Sequence, residues 1–279
     1  MTPTPISILI KTFERPKSLN ALLRSFRDLH VDCPILIADD SRLSGESTVK
    51  KMFPDLQIQY FNLPFDTGLS KGRNILLSHV KTPYFLLCDD DFVFDKRTNL
   101  HIALENLVDH SLDIVGGDFY NYIKITGLET LARHLKRPRN MIQFFFNNYK
   151  TSRYIGKFEI NGDALRLSIS NKYPSTSPFS CDLVNNFFLA KTKSVTEIGG
   201  WDPELKLGEH EDFFLRAKKS GLKVAYLPGF GTRHYPVIKS GYKTFRLRAL
   251  EYKKKFVVKY GFKKYQEVNA DSGEVLFEF

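Results

Sequence analysis

Three consecutive aspartates, Asp89-Asp90-Asp91, follow the apolar run Tyr84-Phe85-Leu86-Leu87-Cys88. Adjacent carboxylates repel one another, so three of them at the mouth of a buried strand call for a partner. A divalent cation holding a diphosphate is the simplest one. Hard oxygen ligands suit magnesium or manganese, which bind through one or two carboxylates plus substrate phosphates. The plain alternative is a solvated acidic turn, or an aspartate capping the next helix. Other chemistry-bearing segments also adjoin regular elements. Asp39-Asp40 ends the run Pro34-Ile-Leu-Ile-Ala38, Gly68 to Asn74 carries Lys71 and Arg73 into a helix, and Gly208-Glu209-His210-Glu211-Asp212 opens another. Ligands of open α/β sheets bind outside the carboxyl ends of strands, which is where such segments would gather.

The elements that must position these groups alternate along the first 118 residues. Strands are expected at 6–10, 34–38, 58–61, 84–88 and 112–116. Pro16 opens a helix with Leu19, Leu22, Leu23, Phe26 and Leu29 on one face, proline being tolerated at a first helical position. A helix begins near Gly68, and Thr98 is the expected cap of one carrying Leu100, Leu104 and Leu107. This rhythm predicts an α/β class with a mostly parallel central sheet covered by helices on both faces. It breaks after Tyr120: residues 121–180 read as an irregular insertion with a helix or two, and insertions of this length are often functional. A strand follows at 183–190, then a helix ending at Lys219 with Gly221 beyond it, a strand at 222–227, a loop carrying His234, a basic helix over about 239–260, and a hairpin across Asn269 to Gly273. The expected organisation is a main domain over 1–235, split into halves 1–118 and 119–235, and a C-terminal region over 236–279.

With 279 residues and 26% charged side chains, the chain has the composition of a globular protein with a large core. No apolar run approaches the roughly 18 residues needed to span a bilayer. Cys33, Cys88 and Cys181 show neither metal nor disulfide spacing, which points to a reducing cytoplasm. The net charge of +10 suggests an anionic partner: a nucleotide, a phospholipid surface or a nucleic acid.

Six segments in order give the chain a resemblance to a known family: Ile37-Ala-Asp-Asp-Ser41, Gly72-Arg-Asn74, Asp89-Asp-Asp-Phe-Val-Phe94, Asp113-Ile-Val-Gly-Gly117, Val184-Asn-Asn-Phe-Phe-Leu-Ala190 and His210-Glu-Asp-Phe-Phe214. From about residue 6 to 235 it resembles GT-A-fold, family-2-like glycosyltransferases, and more narrowly the β-1,4-N-acetylgalactosaminyltransferases of the ganglioside GM2 synthase type. The resemblance implies a UDP-sugar donor, a glycan or glycolipid acceptor, Mn2+ or Mg2+, and no nucleic-acid partner. It implies that Asp89 faces the ribose and Asp91 the metal, with His234 the second protein ligand and Asp90 the extra member of the triad. Asp39 and Asp40 are then suited to the uracil N–H or ribose hydroxyls. By the same resemblance Thr12, Arg15, Lys71, Arg73 and Asn74 would lie beside the nucleotide.

Inverting transfer needs a base for the acceptor hydroxyl. Glu209, Glu211 and Asp212 are the candidates, with Asp212 first and Glu211 second. His210 stands where many family-2 chains carry an aspartate, and His210 and Trp201 are expected at the acceptor. The last helix sets Lys239, Lys243, Arg246, Arg248, Lys253, Lys254, Lys255 and Lys259 against the single acid Glu251. Its basic face is either solvated or a dock for an anionic membrane surface, which would put the protein peripherally at the inner face of the membrane. Two rivals are disfavoured. A nucleotidyltransferase would carry a Gly-rich basic loop where Thr12-Phe-Glu-Arg15 stands. A non-catalytic basic binder would not need acid clusters at strand ends.

Overall fold

The computed structural model describes residues 5–122, 149–173, 178–236 and 248–279. The first half alternates as the apolar runs demand: β1 (Ile6–Thr12), α1 (Pro16–Asp28), β2 (Ile35–Asp39), α2 (Glu46–Met52), β3 (Ile58–Asn62), α3 (Leu69–Ser78), β4 (Tyr84–Asp89), β5 (Phe92–Val93), α4 (Leu100–Asp109) and β6 (Ile114–Tyr122). The second half contains β7 (Tyr149–Ser152), β8 (Ile155–Asn161), β9 (Ala164–Ser170), β10 (Phe179–Ser180), β11 (Phe188–Lys191), α5 (Thr192–Glu197), α6 (Glu209–Lys219), β12 (Val224–His234), α7 (Ala249–Lys259), β13 (Lys264–Asn269) and β14 (Val275–Glu278).

The main sheet runs β10-β12-β6-β11-β4-β1-β2-β3, with β5 joined to β12 and β7 to β6. β1, β2, β3 and β4 are parallel, and β11 lies antiparallel between β4 and β6. Every residue of β1 is buried because helices cover both faces. Ile8 and Ile10 point into the core under Leu22, Leu23 and Phe26 of α1, while Leu9 points to the opposite core with Leu76, Phe85 and Phe213. Each such side chain contributes about 1.5–3 kcal/mol by leaving water. The register then does the positioning: Thr12 pairs with Asp39 and Lys11 with Asp89, so the carboxyl ends of β1, β2 and β4 lie level.

Two local expectations change, and two reach beyond the described residues. The described part of the insertion forms strands, while residues 123–148 and 174–177, where the helix or two expected there would have to lie, fall outside the described residues. The strand expected at 183–190 is confined to Phe188–Lys191. The cap of α4 is Asn99, whose side chain accepts from the Ile102 N–H at 3.1 Å, while the Thr98 hydroxyl donates to the Gly231 carbonyl. The C-terminal helix is described only from Ala249, so the part expected over 239–247 falls outside the described residues.

The C-terminal hairpin is present, and it does not stand apart. β13 pairs in parallel with β9 in a second sheet of order β14-β13-β9-β8, so the insertion and the C-terminal region share one layer. Tyr265 and Phe256 join the same core as Phe213. No helix among the described residues is long and apolar enough to cross a membrane.

Candidate active site

The aspartate triad is organised by β1 and the loop after it. The Thr12 hydroxyl donates to Asp90 at 2.6 Å, and the Arg15 guanidinium pairs with Asp90 and, at 2.6 Å, with Asp91 Oδ2. Arg15 thus offsets the mutual repulsion of two neighbouring carboxylates. Asp90 is fully enclosed, and burial raises its pKa against the opposing pull of Arg15. Its contacts go to Thr12 and Arg15, so Asp90, Thr12 and Arg15 form a buried frame beneath Asp89 and Asp91. Asp89 is the most open of the three, with its side chain 28% exposed.

Asp91 and His234 are 143 positions apart in sequence and meet because β5, which starts at the next residue, pairs antiparallel with the end of β12. Asp91 Oδ1 lies 3.5 Å from His234 Nε2. The other ring nitrogen, Nδ1, sits 2.5 Å from Asn121 Oδ1, directly across the β6–β12 ladder. That contact favours the tautomer protonated at Nδ1, which leaves the Nε2 lone pair toward Asp91, the arrangement seen around metal-bound histidines. One oxygen and one imidazole nitrogen at this separation fit a manganese or magnesium ion on chemistry and spacing. Among the described residues no group of three or more His, Cys, Asp or Glu converges as a ligand set. The remaining ligands would have to come from phosphate and water.

α6 supplies the second acidic cluster. Glu209, Glu211 and Asp212 occupy its first turn, where the helix dipole favours carboxylates. Each is met by a cation. Glu209 pairs with Arg73 at 2.7 Å, and Arg73 also reaches Asp89 at 3.3 Å, so this buried guanidinium links the triad to α6. Burial raises the Glu209 pKa, with Arg73 the leading opposing influence. Glu211 lies 3.4 Å from Lys253 of α7. Asp212 accepts from Arg216 at 2.8 Å, Lys259 at 2.6 Å and the Tyr260 hydroxyl at 2.9 Å. Half-buried His210 packs between the rings of Tyr154 and Phe214. Burial first, then Arg73, pushes it down to about 3, so its ring is neutral at physiological pH.

Several expected ligand contacts have other partners here. The Asp39 carboxylate accepts from the N–H groups of Ser41 and Gly45 and from Tyr60 OH. Asp40 is held by Lys11 and by the Gly68 N–H. Both therefore anchor the loops around the strand ends. A Cβ on Gly72 would come within 2.4 Å of Lys11 Cδ, so that glycine makes room for a lysine rather than a ligand. Arg73 is 1% exposed and bridges carboxylates. Both amide atoms of Asn74 bond the main chain of Trp201, at 2.6 and 2.8 Å. Lys71 is exposed on α3.

Trp201, expected to stack on an acceptor sugar, is 1% exposed and stacks on Phe213 at 4.9 Å, a core position. Asp212, the first-ranked base, has its oxygens turned to Arg216 and α7. The C-terminal basic residues are also partly committed: Arg248 holds Asp66 through two hydrogen bonds, Lys253 holds Glu267, and Lys259 holds Asp202. Lys254 and Lys255 remain on the outer face.

Two participants escaped the sequence reading. Lys11 is buried beside Asp40, with burial lowering its pKa, and its signal was a lysine closing the apolar run of β1. Asn121 had no signal, since its role comes from cross-strand register.

The family model described as Glycosyl transferase family 2 matches residues 7–184. Mouse β-1,4 N-acetylgalactosaminyltransferase 2 is 30% identical over 249 residues, which is 88% of this chain and 42% of the relative. Human β-1,4 N-acetylgalactosaminyltransferase 1 is 34% identical over 214 residues, 75% of this chain and 35% of that protein. The chain thus spans well under half the length of these relatives. Among solved structures, S. aureus TarS 1–349 in complex with UDP gives a TM-score of 0.55 at 17% identity, covering 88% of this chain and 64% of the other. The Pyrobaculum calidifontis mannosyltransferase PcManGT, in complex with GDP-Man and Mn2+, gives 0.56 at 16%, covering 93% and 66%. At such identities these two carry the fold and no more. By its sequence match and by the sheet that levels its acidic strand ends, the chain belongs to glycosyl transferase family 2 and has the GT-A fold.

Proposed function

We propose that the protein transfers a sugar, N-acetylgalactosamine, from its UDP conjugate to a hydroxyl of a glycan or glycolipid, with inversion to a β linkage, in the synthesis of a surface polysaccharide or glycolipid. The observation that carries this is the meeting of Asp91 and His234 at 3.5 Å beside the carboxyl ends of β1 and β4. Support for UDP and for the sugar comes from the names of the relatives and from the UDP complex of a structural neighbour.

Mn2+ or Mg2+ held by Asp91 and His234 would supply positive charge for the departing diphosphate. Arg15 fixes Asp91 by its other oxygen, and Asn121 fixes the His234 ring. Asp89, the open member of the triad, suits a ribose hydroxyl. Asp39, Asp40 and Lys11 hold the loops that border the nucleotide. The base lies in the first turn of α6. Glu209 ranks above Asp212 and Glu211, because Arg73 ties it to Asp89 and so sets it nearest the strand-end carboxylates. Neutral His210 is suited to hydrogen-bond the acceptor.

The test is a screen of UDP-sugars with manganese, reading thermal protection and transfer to sugar acceptors. UDP-N-acetylgalactosamine should protect the wild type and be turned over. Asp91→Ala and His234→Ala should abolish manganese-dependent UDP binding measured by calorimetry. UDP binding that ignores both a chelator and these substitutions would refute the metal-diphosphate assignment.

A further inference from the structure

The segment Val184-Asn185-Asn186-Phe187 leads into β11. Asn185 is a structural tie, its amide donating to the Gly117 carbonyl at 2.9 Å. Asn186 differs. Its Oδ1 is buried and has no hydrogen-bond partner. Buried polar atoms in native proteins are almost always paired, so an orphaned one needs an explanation. Its position supplies one. Phe188 lies opposite Leu87 of β4 and Gly116 of β6. Continuing that antiparallel register by two residues brings Asn186 level with Asp89 on one side and Asp118 on the other. Val184 and Phe188 enter one core and Phe187 and Leu189 the other, so Asn186, just before β11, falls on the side of Phe188, which packs against Phe213 and Phe214 of α6. Asn186 therefore stands at the strand ends, on the side where Asp89, Arg73 and Glu209 are joined. Asp118 cannot satisfy it, since a carboxylate only accepts, and its oxygens already take hydrogen bonds from Tyr226, Arg153 and the Gly229 N–H.

An acceptor held in this place without a partner suits a ligand that brings an N–H or O–H. We propose that Asn186 Oδ1 accepts a hydrogen bond from the sugar being transferred, through the acetamido N–H of an N-acetylhexosamine, and so selects the donor. This rests on the sugar-transfer reading above and names the group by which that site would recognise its substrate. A site that hydrogen-bonds a substrate N–H discriminates strongly against an analogue lacking it, because its own polar group is then left unpaired.

Asn186→Leu tests it, because leucine is of similar size and removes the unsatisfied amide. Removing an orphaned acceptor relieves its desolvation, so the variant should melt at the wild-type temperature or a few degrees above it. Its kcat/KM for UDP-N-acetylgalactosamine should fall roughly 10- to 100-fold, with a smaller loss for UDP-galactose. Binding of UDP itself with manganese should not change. Asn186→Asp keeps an acceptor and should retain more of the N-acetylgalactosamine preference than Leu. A lower melting temperature together with unaltered donor preference would make Asn186 structural and overturn the proposal. Equal losses on both donors would overturn the acetamido assignment. A wild-type protein that turns over no UDP-sugar would refute the sugar-transfer reading itself, a result separate from either of these.

Discussion

Arg73→Met isolates the link between the aspartate triad and α6. Methionine keeps the unbranched stem and removes the charge. Arg73 and Glu209 are 1% and 3% exposed at the side chain and 2.7 Å apart. Removing one partner of a buried pair costs about 3–5 kcal/mol, because the remaining charge is left uncompensated. The second contact, to Asp89, adds little, since that side chain is 28% exposed and water can replace the guanidinium. At about 2–4 °C per kcal/mol for a large domain, the melting temperature at neutral pH should fall by roughly 6–20 °C.

The pH dependence carries a definite sign. Burial raises the Glu209 pKa above its usual 4.5, and Arg73 is the main opposing influence, so the substitution raises it further. A carboxylate with a raised folded pKa holds a proton at pH values where the unfolded chain has lost it. Its contribution to stability is therefore best at low pH and declines as pH rises through the folded pKa. The deficit of the variant should be greatest at neutral pH and shrink on acidification toward the ordinary glutamate range. Thermal melts of wild type, Arg73→Met and Arg73→Met/Glu209→Gln across that range provide the assay. The double variant, which removes the stranded charge, should recover most of the loss. Wild-type melting of Arg73→Met at neutral pH, or a loss that neither acid nor the second substitution relieves, would refute the buried-bridge argument.

Within the first turn of α6, Glu209→Gln should lower turnover by about two orders of magnitude or more, the usual scale for a lost general base, with UDP affinity little changed. Asp212→Asn should instead lower the melting temperature, because it weakens the contacts to Lys259 and Tyr260. The reverse ranking of turnover would return the base to Asp212. On α7, Lys254→Glu with Lys255→Glu should reduce sedimentation with phosphatidylserine vesicles at low salt while transfer to a short soluble acceptor survives. Absence of vesicle binding by the wild type would mean that the outer basic face is only solvated.

The alternation of apolar runs was enough to give the class of fold. β1, β2 and β4 are continuous apolar segments because both of their faces are covered, the pattern of strands in a helix-covered, mostly parallel sheet. The carboxylates that end β2 and β4 were equally visible, although Asp39 and Asp40 anchor the loops around the strand ends. The partner of each charge could not be read from the residues themselves, and His234 was set beside Asp91 only by the family resemblance. The Asp91–His234 pair depends on β5 hydrogen-bonding to β12, the Arg73 bridge on α3 meeting α6, and the commitment of Lys253 and Lys259 on α7 packing against the acidic turn. Trp201 and Asn74 looked like ligand-binding residues for the same reason that Lys11 and Asn121 were overlooked. Residue type declares what a side chain can bond, and local periodicity declares which face it takes. Which donor meets which acceptor is set by register and packing between segments far apart in the chain, and that information exists only once the sheet has closed around them.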